Sequence, residues 1–161
     1  MSQVSCEVKG LNELMKRLGT IKNIMKALAP TMLEIAMRVE GDAKDFVTGR
    51  KSMSEFQLKA AQENDAIKIG AESLGVISDR LRSSIKGIIS EITEEYIEVA
   101  VSTSSDVVYA RIHELGGIIE NAFGRGIHVE MPARPYLFAS LLKNKEWIQK
   151  LLSDKIQEVI R

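Results

Sequence analysis

The pattern of apolar positions divides the chain into elements. Over residues 3–9, Val4, Cys6 and Val8 fall on one side of an extended chain, which predicts a strand that Gly10 ends. The period then changes. Leu11, Leu14, Leu18, Ile21, Met25 and Leu28 recur at three- and four-residue steps, which predicts a helix with one apolar stripe. Asn12 stands where a cap is needed, and Lys16, Lys22 and Lys26 lie mostly off the stripe. Pro30 predicts a break or kink, because a proline inside a helix costs about 3 kcal/mol. A second helix is predicted from about Thr31 to Val47, with Met32, Ile35, Ala36, Val39, Ala43 and Phe46 on its stripe.

Residues 48–78 are polar and sparse in apolar positions until Ile67, with a short helix predicted over 54–63. The segment reads as an excursion from the core, mobile or ordered by a partner, or more plainly as an ordinary surface loop with a small helix. A short helix or turn at Ser78–Ile85 then leads into two β-rich runs, Ile88 to Thr93 and Tyr96 to Ser102. Ile97, Val99 and Val101 alternate with Glu98, Ala100 and Ser102, which predicts an antiparallel hairpin with one wet face. Val107 to Leu115 reads as a short helix stopped by Gly116-Gly117, residues 116–127 as a flexible loop, and His128 to Met131 as a strand. Pro132-Ala133-Arg134-Pro135 is a stiff extended corner, since each proline fixes its own φ and restricts the residue before it. The last helix runs from Tyr136 or Leu137 to Ile160, with Leu141, Ile148, Leu152, Ile156 and Val159 on its apolar face. The order predicts one α+β domain over 1–161: long N-terminal helices and a C-terminal helix packed on a small antiparallel sheet.

Composition narrows the function classes. The 161 residues carry 22 Lys+Arg and 22 Asp+Glu, a net charge of zero that argues against a whole-surface polyanion binder. One cysteine, Cys6, excludes an internal disulfide framework. Met1 to Gly10 lacks the basic start and apolar run of a signal peptide, and no stretch reaches the roughly 18 apolar residues of a membrane span. The expectation is a protein made in the cytoplasm and not held in a membrane.

Candidate chemistry is thin. The residue four after His113 is Gly117, so His113-Glu114 does not open the paired-histidine helix of a zinc protease. His128 is the only other histidine. The plain alternative is that His113 packs at a helix edge and Glu114 is solvated or paired. No serine sits in a nucleophile elbow, Glu94-Glu95 lies in a turn, and Gly124-Arg125-Gly126 is not a phosphate loop. No metal or cofactor is expected. Arg80, Arg82 and Lys86 form a basic cluster that would touch DNA phosphates or, the favoured reading, pair with Asp79, Glu91 or a neighbouring subunit. The corner is the most informative segment. Two prolines hold Arg134 in an extended frame, from which its rigid fork can reach a carboxylate or backbone carbonyls.

Four segments in order carry a resemblance: Val8 to Leu14; Asp79-Arg80-Leu81-Arg82-Ser83-Ser84-Ile85; Tyr109-Ala110-Arg111-Ile112-His113-Glu114-Leu115-Gly116-Gly117; and Met131-Pro132-Ala133-Arg134-Pro135-Tyr136-Leu137. The chain resembles the phage virion-morphogenesis proteins, the tail-completion proteins of Mu-like phages, and more broadly head–tail joining and minor tail components. The resemblance implies a non-enzymatic assembly role in tail completion or neck joining. It implies a homo-oligomer, a ring being the form many neck components take. The implied partners are phage neck, tail-terminator or tail-tube proteins, with incidental contact to DNA in the virion channel. The implied locations are the host bacterial cytoplasm during assembly and then the virion. Arg80, Leu81, Arg82, Tyr109, His113, Glu114, Pro132, Arg134, Pro135 and Tyr136 become the interface or fold-anchoring candidates. The runner-up is a nucleic-acid-binding module using Arg80, Arg82, Lys86 and Arg125. Segments 48–78 and 116–127 are the ones expected to order on docking.

Overall fold

The computed structural model describes residues 4–5, 24–48, 51–72, 74, 79–93, 95–122, 124 and 126–160. The elements in chain order are β1 (Val4–Ser5), α1 (Ile24–Phe46), α2 (Glu55–Glu63), α3 (Arg80–Ser84), β2 (Lys86–Ile92), β3 (Ile97–Ser102), α4 (Ala110–Leu115), β4 (Gly117–Ala122), β5 (Ile127–Met131) and α5 (Leu137–Ile160). One antiparallel sheet has the order β1-β3-β2, and β4 and β5 form a second, two-stranded sheet. The fold class is α+β. Most of the first predicted helix and much of the N-terminal strand, Cys6 included, lie outside the described residues.

Helix α1 buries Met25, Leu28, Met32, Ile35, Ala36, Val39 and Ala43, the stripe that its sequence spacing predicts. Of the break or kink expected at Pro30, the break is absent: α1 runs through it. Proline removes only its own N–H and crowds one preceding carbonyl. Pro30 is on the exposed face, where the freed carbonyl is open to solvent, while stripe residues on both sides share one core. Packing outweighs the local cost.

The sheet lies against α1. Ile97, Val99 and Val101 of β3 are buried, as their alternation predicts, but Ala100 between them is buried too. β3 is the central strand, flanked by β1 and β2, so a small side chain on its wetter face is covered by neighbours. Gly87 sets the distance between helix and sheet. A Cβ there would stand 2.6 Å from the Ala36 carbonyl oxygen, so backbone approaches backbone directly.

Helix α5 closes the core against α1 through Leu137, Ile148 and Leu152. A buried polar lock sets the pairing of the two helices. Asn144 accepts from Arg38 Nε at 2.9 Å and donates to Asp42 Oδ2 at 2.6 Å and to the Ser140 carbonyl at 2.9 Å. Arg38 also stacks 4.2 Å over the Trp147 ring.

Two sequence expectations need correction. The described part of the 48–78 excursion is docked on the core. Met53, Gln57, Ala60 and Ala61 are buried, and α2 packs on α5. Its buried side chains are mostly small or polar, so no apolar stripe announces the contact. Within the loop predicted at 116–127, Gly117–Ala122 form strand β4, paired with β5 in the register Gly117↔Met131, Ile118↔Glu130 and Ile119↔Val129. Ile118 is exposed while Ile119 is half-buried, so adjacent isoleucines on opposite faces hide the alternation.

Gly87→Ala should destabilise the fold by about 1–3 kcal/mol, because its Cβ meets unyielding helix backbone. Denaturant unfolding against wild type measures this; an unchanged midpoint would mean that the helix–sheet spacing is not fixed there.

Candidate functional site

The corner 131–136 joins β5 to α5, and each of its residues from Ala133 onward is held by a different part of the chain. Ala133 is fully buried and behaves like a strand residue. Its N–H donates to the Lys68 carbonyl at 2.7 Å and its carbonyl accepts from Gly70 N–H at 2.9 Å, a parallel bridge to Ile69. Arg134 N–H donates to the His113 carbonyl at 2.7 Å. The Pro135 carbonyl accepts from Gln57 Nε2 at 3.0 Å, a buried bond. Gln57 also completes a capping box with Ser54 at the start of α2. One residue therefore both starts a helix and docks it on the corner.

Glu114 ties the corner to the last helix. Helix α4 places its carboxylate under the N-terminus of α5, with 3% of the residue exposed. Oε2 accepts from Tyr136 N–H at 2.8 Å and Leu137 N–H at 3.0 Å, and Oε1 accepts from Phe138 N–H at 2.9 Å. The first turn of any helix has N–H groups without intrahelical partners and carries partial positive charge. One carboxylate serves three of these donors. Burial pushes its pKa above the usual carboxylate range, and the three N–H donors pull the other way without cancelling the shift. Glu114 is therefore not solvated; its partners are backbone groups.

The neighbours complete the packing. Tyr136 is 1% exposed and its hydroxyl donates to the Ala110 carbonyl at 3.4 Å. Burial, and then the nearby Glu114, push that hydroxyl far above its ordinary range, so it stays a donor. His113 meets Tyr109 edge to face, ring centroids 5.7 Å apart. Burial, and then the Arg134 guanidinium, lower the His113 pKa and keep the ring neutral. Its Nδ1 is buried without a hydrogen-bond partner among the described residues. Gly116 sits at φ 71°, and a Cβ there would stand 2.8 Å from Ala133 N, so the glycine after α4 is needed both for its conformation and for the close approach. Pro135 is fully buried and Pro132 half-buried.

Arg134 itself lies toward the surface. Its Nε donates to the Glu72 carbonyl at 3.1 Å, the backbone option of the two that its rigid frame allows. Gly70 makes room for it, since a Cβ there would be 2.8 Å from Arg134 Cγ.

The other sequence candidates are elsewhere. Leu81 is buried in the core. Arg80 pairs with Asp106 at 3.1 Å, and Arg82 Nη1 stands 3.7 Å from Asp79. Glu91, considered as a partner for the cluster, instead accepts from the Tyr96 hydroxyl at 2.5 Å. The basic cluster is thus largely balanced by acids of the same chain. His128 is exposed on β5. Arg125 and Glu94 lie outside the described residues. Among the described residues, no three His, Cys, Asp or Glu side chains stand close enough to hold a metal ion.

Sequence reading missed Gln57, Gly70 and the backbone of Lys68 as parts of the corner. Only Ser54-x-x-Gln57 carries a local signal, the capping-box spacing.

Glu114→Ala should cost about 3 kcal/mol in denaturant unfolding, because three buried N–H groups lose their acceptor. Glu114→Gln, which keeps one acceptor oxygen, should lose less. His113 gives a pH signature. Its folded-state pKa lies below the unfolded value, so the unfolded chain takes up the proton first and stability falls as pH drops below the ordinary histidine range. His113→Gln should flatten this part of the stability–pH curve; an equally steep curve in the variant would remove His113 as the cause.

No curated protein and no solved structure matches the chain. A protein-family model does match, over residues 7–157, and its family is described as the phage virion morphogenesis family. The match spans α1 through most of α5 and takes in the whole corner, the Glu114 cap and the Arg80–Ser84 helix. On that span, the chain belongs to the phage virion morphogenesis family.

Proposed function

We propose that this chain is a non-enzymatic building block that completes the tail or joins head to tail, by self-association and by docking on neighbouring neck, tail-terminator or tail-tube proteins. It assembles in the host cytoplasm and ends in the virion. Family membership supports the assembly role. The observation that carries the docking reading is the β4–β5 ribbon. It is a two-stranded sheet whose strands pair with each other, and it springs from the rigid corner through Gly116 and Met131. Ribbons of two strands are marginal alone and gain stability when a face is covered. Ile118 is 59% exposed on one face of it, and Ile127, on the other face with Val129, is 48% exposed. Val108, just before α4, is 84% exposed. Apolar side chains on a projecting ribbon suit a surface that another virion protein covers. No described helix is long and apolar enough to cross a membrane.

The test is complementation of a phage lacking the gene. Wild type should restore joined, infectious particles and should be found in them. Arg134→Ala and Ile118→Asp should lower the yield about tenfold or more, the first through the corner and the second at the ribbon surface with the fold intact. Normal particles without the chain would overturn the assembly role; a fully active Ile118→Asp would remove the ribbon from it.

A further inference from the structure

The three-stranded sheet ends in an edge. In the order β1-β3-β2, β2 has a strand partner on one side only among the described residues. Gly87 N–H points away from β3 and donates to Glu40 Oε2 at 2.7 Å, a carboxylate that also holds Lys44. Backbone bonding alternates along an antiparallel strand, so Gly87 and Ile89 both present their groups outward. Apolar side chains border this edge. Ile88 and Ile92 of β2 are 52% and 48% exposed, and Leu33 and Met37 of α1 are 42% and 62% exposed. Leu33, Met37, Glu40 and Lys44 form one row along the helix, and Glu40 in that row reaches Gly87. The row meets the open edge at Gly87.

The charges on β2 have a direction. Lys86 begins the strand and Glu91 stands near its end. A register shift between Ile89 and Glu91 brings them to the same face: Lys86 pairs with Ser102 and Glu91 with Glu98, which share a face of β3. Ile88, paired with Ala100, lies on that face between them. A strand that is cationic at one end and anionic at the other complements a copy of itself only when antiparallel. Parallel pairing would set Lys86 beside Lys86.

We propose that β2 pairs edge to edge and antiparallel with β2 of a second copy of this chain, centred on Ile88. Lys86 of each copy then faces the bulged Ser90–Glu91 of the other, twice by the two-fold axis. The two sheets become one continuous sheet in the order β1-β3-β2-β2-β3-β1. Gly87 N–H passes from Glu40 to the Ile89 carbonyl of the second copy, and Glu40 keeps Lys44. This deepens the building-block reading, on which it rests, by naming the self-association surface.

Sedimentation equilibrium on the full chain tests it, with Lys86→Glu, Glu91→Lys and the double swap, each checked for native circular dichroism. Wild type should dimerise. Each single reversal should weaken the dimer about tenfold, because like charges then face each other at both symmetric positions. The double swap should restore it. A monomeric wild type, neutral single reversals or a double swap that stays weak would each overturn the pairing. Amide hydrogen exchange of Ile89 needs no substitution: its protection should rise with protein concentration, and concentration-independent exchange would overturn the proposal. Failure here leaves the assembly role standing if particles still require the chain. Normal particles without the chain would remove that role whatever the dimer does.

Discussion

The structure turns on one interaction, a buried carboxylate meeting the N-terminus of a helix. Glu114 accepts from three consecutive N–H groups that α5 cannot satisfy internally. Burying a carboxylate is costly unless hydrogen bonds replace its water. Leaving those N–H groups buried without an acceptor is costly as well. Each defect is relieved by the other, so α4 and α5 are held in one relative position. The prolines on either side of Ala133 and Arg134 make the connecting backbone stiff, and little is lost when that backbone is fixed.

From that joint the rest of the positioning follows. Ala133 draws residues 68–70 into a bridge, and Gln57 brings α2 onto the same corner. Helix α5 is then aimed along α1, where Asn144, Arg38 and Asp42 fix which faces meet. The ribbon β4–β5 leaves the corner with its base held by Gly116 and Met131. The surfaces proposed for docking would be set on the frame that this joint holds. The two surfaces that draw attention, the ribbon and the open edge of β2, stand at different places on that frame.

Much of the fold was legible in the sequence because it follows from periodicity. The stripe Met25 to Ala43, the alternation Ile97-Val99-Val101 and the long run of α5 are all signals of burial. At Pro30 the helix continues where a break or kink was expected, because the core on both sides outweighs the local cost of the proline. Segment 48–72 misled for the opposite reason. Its docking uses Ala60, Ala61, Gln57 and backbone groups, none of which an apolar pattern records. Ile118 and Ile119, on opposite faces of an outlying strand, blurred the period of β4. At the corner, the prolines and Arg134 marked the segment as special, but the role of Glu114 was hidden. A glutamate next to a histidine in a short helix has no spacing that announces three backbone donors some twenty residues later in the chain.

The central claim is that the carboxylate-capped corner is among the last parts of the fold to open. Native-state amide hydrogen exchange at Tyr136, Leu137 and Phe138 tests it most directly. If the joint governs the structure, these amides exchange only with global unfolding, at the same free energy as the buried centre of α5. Exchange through local fraying, as at an ordinary helix end, would contradict it.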